Sequence, residues 1–326
     1  MVEVKLPDRT LSKMNAALER NYKSERRPHL GASSIGTACE RRLWNDFHFI
    51  SENNFSARSI KAIADGHNSE AVMSGRLRMV KGIVLETETA DGKQFGFSDG
   101  HIGGSLDGKI TGLHNLPKET HIWEHKCVNE KKFNALVKLV VADEDTALYN
   151  WDEQYFAQAQ IYMGYFSLEW HYLTACAPGS RDETSCITRF DSSAAAHYID
   201  RAERIIKASK PPPRISEDPS WYQCKICPHS DNCHGEQLPL VNCRSCAYST
   251  ANINGTWACE LFERNLAFKE QQAGCDKHLM NPRTVPARQV DSGEDTDGYC
   301  IVYEFKSGTR IRNQNAKITN LPTTGG

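Results

Sequence analysis

The distribution of cysteine constrains this chain more than any other feature of its sequence. Seven of its twelve cysteines fall between Cys224 and Cys275. In an exported protein such a cluster would indicate disulfides. The first residues, MVEVKLPDRTLSKMN, lack the apolar core of a secretory signal. We therefore expect an intracellular, cytoplasmic protein whose clustered thiols bind metal.

Composition and charge restrict the classes of protein to which the chain could belong. The chain has 326 residues, of which 39% are hydrophobic and 25% charged, a balance typical of a folded, water-soluble protein. That length suits one large domain or two modest ones. No segment approaches the roughly 20 apolar residues of a membrane helix, so no membrane partner is expected. Because the formal net charge is -2, a nucleic acid would have to meet a local basic patch.

Apolar periodicity predicts an alternation of helices and strands. Helices are predicted over 8–23, 33–49 (capped by Ser33 or Ser34), 56–79, 130–141, 152–166 and 194–209. Strands are predicted around Val84, in hairpins within 96–112, over 120–128 and 168–176, and in a hairpin over 298–312. Pro211-Pro212-Pro213 ends regular structure, and the following segment is rich in cysteine and turns.

Two carboxylates and a lysine form the central constellation. Asp107 lies in GGSLDGKI, and Glu124 and Lys126 lie in HIWEHKC. Positions 124 and 126 of a strand point to the same face. Carboxylates brought together repel unless a cation neutralises them, and oxygen ligands favour Mg²⁺ or Mn²⁺. Such an ion activates water and stabilises charge on a phosphate. Taken alone, the pattern is equally consistent with a solvated salt bridge.

Neighbouring motifs extend this constellation. In chain order they are Cys39-Glu40-Arg41-Arg42-Leu43-Trp44, Gly66-His67-Asn68-Ser69-Glu70, Asp107, Glu124-His125-Lys126, Gln158-Ala159-Gln160-Ile161-Tyr162 and Cys224-x2-Cys227-x5-Cys233. This order resembles the RecB-like branch of the PD-(D/E)xK nucleases. It is most similar to the iron–sulfur members, which include CRISPR adaptation exonucleases, AddB-type subunits and phage exonucleases. The resemblance covers residues 31–235 and departs from the family at Leu106, where a proline is usual.

The resemblance implies roles for individual residues. It implies an α/β, restriction-endonuclease-like fold with a central mixed sheet flanked by helices. His67, Asp107 and Glu124 match the metal ligands, and the backbone carbonyl of His125 falls where the family supplies another. Lys126 matches the catalytic lysine. Considered alone, His67 would more often be a packed helix histidine.

A second helix is implied to border the site. Gln158 and Tyr162 match a motif that touches DNA or positions the lysine, although helix packing also explains them. Gln154 and Tyr155 form a competing pair. Glu70 lies one helical turn from His67 and is an accessory carboxylate candidate.

The first cysteine set is Cys224, Cys227 and Cys233, which is one thiolate short of a four-cysteine site. Cys39 is able to supply the fourth from far upstream. Four thiolates suit zinc or a [4Fe–4S] cluster, and spacing does not choose between them. The resemblance favours the [4Fe–4S] cluster. Unligated thiols are the remaining alternative.

The second cysteine set is Cys243, Cys246 and Cys259, with Cys275 preferred to His278 as fourth ligand. The spacing resembles a zinc ribbon, so structural Zn²⁺ is expected, with a second iron–sulfur cluster as alternative. The expected core of this module is Trp257, Phe262 and Phe268, for which DNA stacking is the other role. The remaining cysteines, Cys127, Cys176, Cys186 and Cys300, are interpreted as core residues.

The sequence therefore predicts a nuclease domain over residues 1–235 and a Cys-rich metal-binding module with a hairpin over 236–326. The expected reaction is Mg²⁺- or Mn²⁺-dependent hydrolysis of DNA, with exonuclease action on ends or single strands implied by the resemblance. The implied setting is recombination, repair or replication in a bacterium or phage-infected cell, with a recombination or single-strand-binding protein as partner. The alternatives are a non-catalytic DNA-binding scaffold and a zinc-ribbon adaptor.

Basic stretches offer a groove for phosphates if the family fold holds. They are Arg26-Arg27, Arg41-Arg42, Arg76-Leu77-Arg78, Lys131-Lys132, Arg310 and Arg312. No base-reading motif accompanies them, so little sequence specificity is expected.

Overall fold

A computed structural model describes residues 9–322 and divides them into two units. The first unit comprises residues 9–25, 53–97 and 104–197. The second comprises residues 26–52, 98–103 and 198–322. The boundary predicted at residue 235 therefore falls inside the second unit, which contains both cysteine sets.

Helices and strands alternate along most of the chain. The helices are α1 (Arg9–Asn21), α2 (Ala32–Ile35), α3 (Glu40–Phe47), α4 (Ala57–Arg78), α5 (Glu130–Ala142), α6 (Glu144–Trp151), α7 (Glu153–Phe166), α8 (Ser192–Lys207), α9 (Tyr222–Lys225), α10 (Ser230–Cys233) and α11 (Phe268–Ala273). The strands before residue 200 are β1 (Leu30–Gly31), β2 (Val84–Glu86), β3 (Gly96–Asp99), β4 (Ile102–Ser105), β5 (Gly108–Thr111), β6 (His121–Cys127), β7 (Trp170–Cys176) and β8 (Glu183–Arg189). The later strands are β9 (Ser249–Ala251), β10 (Trp257–Cys259), β11 (Arg264–Leu266), β12 (Arg288–Asp295), β13 (Gly298–Glu304), β14 (Arg310–Gln314) and β15 (Lys317–Leu321).

A five-stranded sheet forms the centre of the first unit. Its order is β2-β5-β6-β7-β8. Strands β6 and β7 are parallel, whereas the other neighbours are antiparallel. The prediction of an α/β chain with a mixed sheet and flanking helices is confirmed. The antiparallel edge strand β8 and helix α6 were not predicted.

The two faces of β6 carry different side chains because neighbouring residues of a strand point in opposite directions. Trp123 belongs to an apolar cluster with Met73 of α4, Leu85 and Ile110. Glu124, on the other face, accepts a hydrogen bond from Gln158 of α7. Burial of the first face anchors the strand, and the second face is left for polar chemistry.

Side-chain caps fix the helices that border this sheet. The hydroxyl of Ser56 accepts the backbone N–H of Ser59 at the start of α4. The carboxylate of Asp152 accepts the N–H groups of Gln154 and Tyr155 at the start of α7. Each cap satisfies backbone donors that a helix leaves unpaired at its first turn. The first cap therefore fixes where α4 begins, and the second fixes where α7 begins.

The single helix predicted over residues 33–49 is wrong. The segment forms α2 and α3, separated by Gly36 to Cys39, and Cys39 is the extended N-cap of α3. Gly31, and neither serine, caps α2; the Ser34 hydroxyl donates to the Gly31 carbonyl instead. The guanidinium of Arg201 donates to the carbonyls of three residues at the break, which are Ile35, Thr37 and Ala38. These bonds replace the helical ones that the break removes.

Short sheets build the second unit. Strands β1 and β4 pair in parallel, β9 to β11 form a three-stranded antiparallel sheet, and β12 to β15 form a four-stranded one. The predicted hairpin over 298–312 corresponds to β13 and β14. Ile301, Tyr303 and Ile311 of this sheet pack with Leu279 and Met280.

A buried arginine organises the aromatic core of the second unit. The Arg244 guanidinium lies 5.0 Å from the Trp257 ring and 4.2 Å from the Phe49 ring. It also donates to the Gln271 side chain, so the buried charge is hydrogen-bonded. Phe268 packs on Phe49. Phe262 is 48% exposed, so its prediction as a core residue is wrong.

No helix within residues 9–322 is long and apolar enough to cross a membrane.

Candidate active site

The turn before β5 and the strand β6 bring the predicted carboxylates together. The backbone N–H of His125 donates to Asp107 Oδ2 at 2.9 Å. Glu124 Oε1 accepts from Lys126 Nζ and, at 3.0 Å, from Gln158 Nε2. The Glu124 side chain is buried, and Lys126 is mostly buried. The alternative of a solvated surface salt bridge is therefore wrong for this pair.

Lys126 pairs with Glu124, and two further carboxyl groups of this site have raised pKa values. Burial, together with the Glu124 charge, raises the pKa of Asp107 to about 8. Burial and Glu124 also raise the pKa of Glu70. Burial alone would lower the pKa of Lys126, but Glu124 and Asp107 outweigh it and hold that pKa above its usual value. Without a cation the site therefore favours a protonated Asp107 beside a lysine that stays protonated.

The second carboxylate oxygen of Glu124, Oε2, bears on whether this site suits a cation. Oε2 is buried and has no hydrogen-bond partner among residues 9–322. A buried carboxylate oxygen without a partner is costly unless a cation or a donor meets it. The oxygen donors of Asp107 and Glu124 are those that Mg²⁺ and Mn²⁺ prefer. The carboxylate pair therefore fits a divalent cation.

Helix α7 supplies the polar side chains beside Glu124. Tyr162 is buried and hydrogen-bonds Gln158; burial and the Glu124 charge raise its pKa. The competing residue Tyr155 also reaches the site, because Lys126 Nζ lies 4.9 Å from the centre of its ring. Both candidate tyrosines therefore border the constellation, one through Gln158 and the other through the lysine.

His67 and Glu70 lie on α4, at the border of this constellation. Glu70 is close enough to Glu124 and Lys126 for their charges to shift its pKa, and His67 partly offsets that rise. The His67 side chain itself is exposed. Within residues 9–322, no three His, Cys, Asp or Glu side chains converge closely enough to hold a metal ion. The structure thus brings Asp107 and Glu124 together and leaves His67 at the periphery.

A polar network behind β6 was missed by the sequence analysis. His125 Nδ1 lies 3.0 Å from Thr174 Oγ1, and His125 Nε2 lies 2.6 Å from Ser69 Oγ. The Trp123 indole donates to the same threonine at 3.0 Å. These bonds fix the His125 peptide that holds Asp107. Thr174 is the register partner of His125 across β6 and β7, so only strand pairing reveals it.

The first cysteine set comes from segments far apart in sequence. Burial raises the pKa of Cys224, and the nearby Cys39 and Cys233 raise it further. Burial also raises the pKa of Cys227 to about 11, with a smaller effect from Cys39. Arg41 donates to the Cys233 sulfur at 4.0 Å. Cys39 therefore lies near Cys224 and Cys227, and Arg41 lies beside Cys233, but within residues 9–322 the thiols do not converge on a metal position, so the cluster stays a prediction.

The second cysteine set is similarly gathered. Burial raises the pKa of Cys243 to about 11, and Cys246, Cys275 and Cys259 add to the rise. His278, the alternative fourth ligand, has its Nε2 3.2 Å from Ser245 Oγ, and its Nδ1 is buried with no hydrogen-bond partner among residues 9–322, so it stays an alternative. Cys275 therefore lies near enough to Cys243 to affect its pKa, but among residues 9–322 the thiols do not converge on a metal position, and Zn²⁺ binding by this set stays a prediction.

Comparisons with known proteins find no matching family model and no matching curated protein. Among solved structures, the alkaline exonuclease LHK-Exo from Laribacter hongkongensis is similar at 14% identity and a TM-score of 0.40, covering 60% of this chain and 90% of that one. A phage-related exonuclease from Haemophilus somnus 129PT is similar at 13% identity and a TM-score of 0.39, covering 58% and 94%.

Proposed function

We propose that this chain is a metal-dependent DNA nuclease of restriction-endonuclease-like fold, acting as an exonuclease on ends or single strands. The observation that supports it is the closeness of Asp107 to Glu124 next to a protonated lysine, with Glu124 Oε2 buried and unpaired within the described part of the chain. A scaffold has no need for charges held at this cost, because a neutral pair would be more stable.

Each residue of the site would have its own role in phosphodiester hydrolysis. Asp107, Glu124 and the His125 carbonyl would hold the cation, with Glu70 and His67 beside them. A divalent cation, when bound, supplies charge neutralisation for phosphate oxygens and lowers the pKa of water. The raised pKa of Lys126 suits it to donate to the attacking water or the phosphate and excludes it as a base near neutral pH. Gln158 holds Glu124 in place.

The test measures cleavage of end-labelled single- and double-stranded oligonucleotides in Mg²⁺, Mn²⁺ or EDTA. Asp107→Asn and Lys126→Met are each expected to reduce the rate by ~10²-fold or more, the scale seen when a transition-state charge partner is lost. Asp182→Asn and Lys138→Met change exposed residues of the same unit and serve as matched controls.

The outcomes are distinct. Metal-dependent cleavage that survives Asp107→Asn at full rate contradicts the proposal. DNA binding without cleavage by the wild-type chain in any of these metals supports the scaffold alternative. Circular single-stranded DNA that stays intact while linear DNA is degraded supports exonuclease action.

A further inference from the structure

A cavity of about 370 Å³ lies behind β6, on the face opposite Glu124 and Lys126. Its lining includes Asp65 and Ser69 of α4 and the last residues of two strands, Cys127 and Cys176. Both cysteines are partly exposed. Their interpretation from sequence as core residues is therefore wrong, whereas Cys186 on β8 is fully buried as expected.

The two cysteines are direct partners at the ends of parallel strands. Cys127 of β6 pairs in register with Cys176 of β7. Neighbouring strands lie ~4.8 Å apart, which is within the separation of ~4.4–6.8 Å that α-carbons have across a disulfide. Burial and the neighbouring Cys176 raise the pKa of Cys127 to about 11, so the two side chains lie close together. The sulfurs therefore meet with little rearrangement of the backbone.

Polar groups surround the second of these sulfurs. Cys176 Sγ lies 3.2 Å from Ser69 Oγ and 3.7 Å from His125 Nε2. The same histidine orders the peptide that holds Asp107. A change at Cys176 is thus one contact away from the backbone of the carboxylate site.

We propose that Cys127 and Cys176 form a modification site, a dithiol that hydrogen peroxide converts to a disulfide. Peroxide oxidises one thiol to a sulfenic acid and releases a water molecule. The second sulfur then attacks the sulfenic sulfur, the S–S bond forms, and the hydroxyl leaves with the remaining thiol proton as a second water. The cavity admits the small oxidant, and the strand register holds the second thiol at the reacting sulfur.

The disulfide would alter the wall of the candidate active site. It removes the thiol hydrogen bonds at Ser69 and ties together the ends of β6 and β7, one residue beyond Lys126. We expect slower DNA cleavage that dithiothreitol reverses. This consequence rests on the proposed function, whereas formation of the disulfide does not.

The experiment treats the full chain with hydrogen peroxide, alkylates the remaining thiols and maps the tryptic peptides. Trypsin places Cys127 on the peptide 127–131, Cys176 on 139–181 and Cys186 on 182–189. The expected result is a crosslinked pair of the first two peptides that dithiothreitol separates, with Cys186 remaining a thiol. Cys127→Ser is expected to abolish this crosslink, and the control Cys186→Ser to leave it unchanged.

Two results would overturn the proposal. One is separate alkylation of both cysteines after peroxide has fully oxidised free glutathione in the same sample. The other is a crosslink from Cys127 to any cysteine except Cys176. The mapping uses the wild-type chain, so it stands even where a variant fails to fold, and it does not depend on whether the chain cleaves DNA.

Discussion

The surroundings of Asp107 disfavour the ionised form of its carboxyl group. Its carboxyl group is mostly enclosed, accepts one backbone hydrogen bond, and faces the charge of Glu124. An ionised carboxylate in this position costs stability that the metal-free protein does not recover. Such costs are typical of positions kept for chemistry.

Asp107→Asn is therefore expected to stabilise the metal-free protein while it removes activity. Asparagine keeps an oxygen for the His125 N–H and removes the charge that opposes Glu124. We expect a gain of about 1 kcal/mol at pH 8 in EDTA, the scale of one unit of pKa, measured by thermal unfolding. Asp182→Asn, at an exposed position, is the control and should leave the midpoint unchanged. A lower midpoint for Asp107→Asn would contradict the charge conflict.

The same group predicts a pH dependence. The folded-state pKa of Asp107 is raised from 3.8 to about 8, so the native state keeps a proton that the unfolded chain has released. Its contribution to stability is fully present below the unfolded pKa and is lost as the pH rises through about 8. Urea unfolding in EDTA between pH 4 and pH 8.5 should show this loss for the wild type and a smaller one for Asp107→Asn. Added Mg²⁺ should restore stability at pH 8 and have little effect at pH 5.

Gln158 offers a milder test of the same site. Its amide donates to Glu124 Oε1 from a buried position. Gln158→Met keeps the side-chain length and removes the donor, so Glu124 loses a fixed orientation. We expect kcat to fall by ~10-fold, on the scale of one hydrogen bond to a charged group, with KM little changed. An unchanged kcat would mean that Gln158 serves only in helix packing.

Sequence alone reached part of this site. Alternation along a strand was enough to place Glu124 and Lys126 on one face. It does not reveal that Glu124 Oε2 is left without a partner, or that Tyr155 and Tyr162 both border the constellation. Those facts depend on how α7 is placed over β6, which is fixed by the cap at Asp152 and by tertiary packing.

At the scale of elements, helices and strands were predicted correctly where the apolar periodicity extended over a long segment. The prediction failed where residues distant in sequence form hydrogen bonds that interrupt an element. Helix α4 and strands β6 and β7 begin and end within a few residues of their predicted limits. The segment 33–49 has a helical pattern, yet Arg201 satisfies the carbonyls of a break at residues 36–39. Nothing in the local sequence predicts a hydrogen-bond donor, Arg201, that lies more than 160 residues away.

Close packing at the start of β5 gives an element-scale prediction. A Cβ added to Gly108 would lie 2.8 Å from the Glu86 carbonyl oxygen and 3.3 Å from the Trp123 ring. Gly108→Ala is thus expected to destabilise the protein by about 1–3 kcal/mol through overpacking. Gly75→Ala, in the last turn of α4 with open space around it, should instead stabilise by about 0.5–1 kcal/mol. Equal unfolding midpoints for the two variants would contradict this register of β2 and β5.

At the scale of the molecule, the sequence suggested a break after the three prolines and a module from residue 236. Structure instead joins residues 26–52 and 98–103 with everything after residue 197. The change in amino-acid composition after the three prolines shows only where cysteine becomes frequent. It does not show which early segments pack with the late ones, because that depends on contacts such as Arg244 with Phe49.

Both cysteine sets lie in the second unit, and their metals can be tested independently. After anaerobic purification we expect about four iron atoms with sulfide and about one zinc per chain. Cys227→Ala should remove iron and leave zinc, and Cys259→Ala should do the reverse, as measured by elemental analysis of the folded protein. Zinc in both sites would mean that the first cysteine set holds a structural metal and not an iron–sulfur cluster. Loss of both metals in either variant would contradict two separate sites.

The interleaving of the two units has a consequence for synthesis on the ribosome. The chain begins one unit, turns to the other at residue 26, and returns twice before residue 198. Residues 26–52 must then wait for partners encoded more than 140 codons later, whereas the mixed sheet is complete once β8 has emerged. Segments that wait with exposed apolar surface are prone to aggregate. We therefore expect the nascent protein to acquire its mixed sheet first and to depend on chaperones until its cysteine-bearing half has been translated.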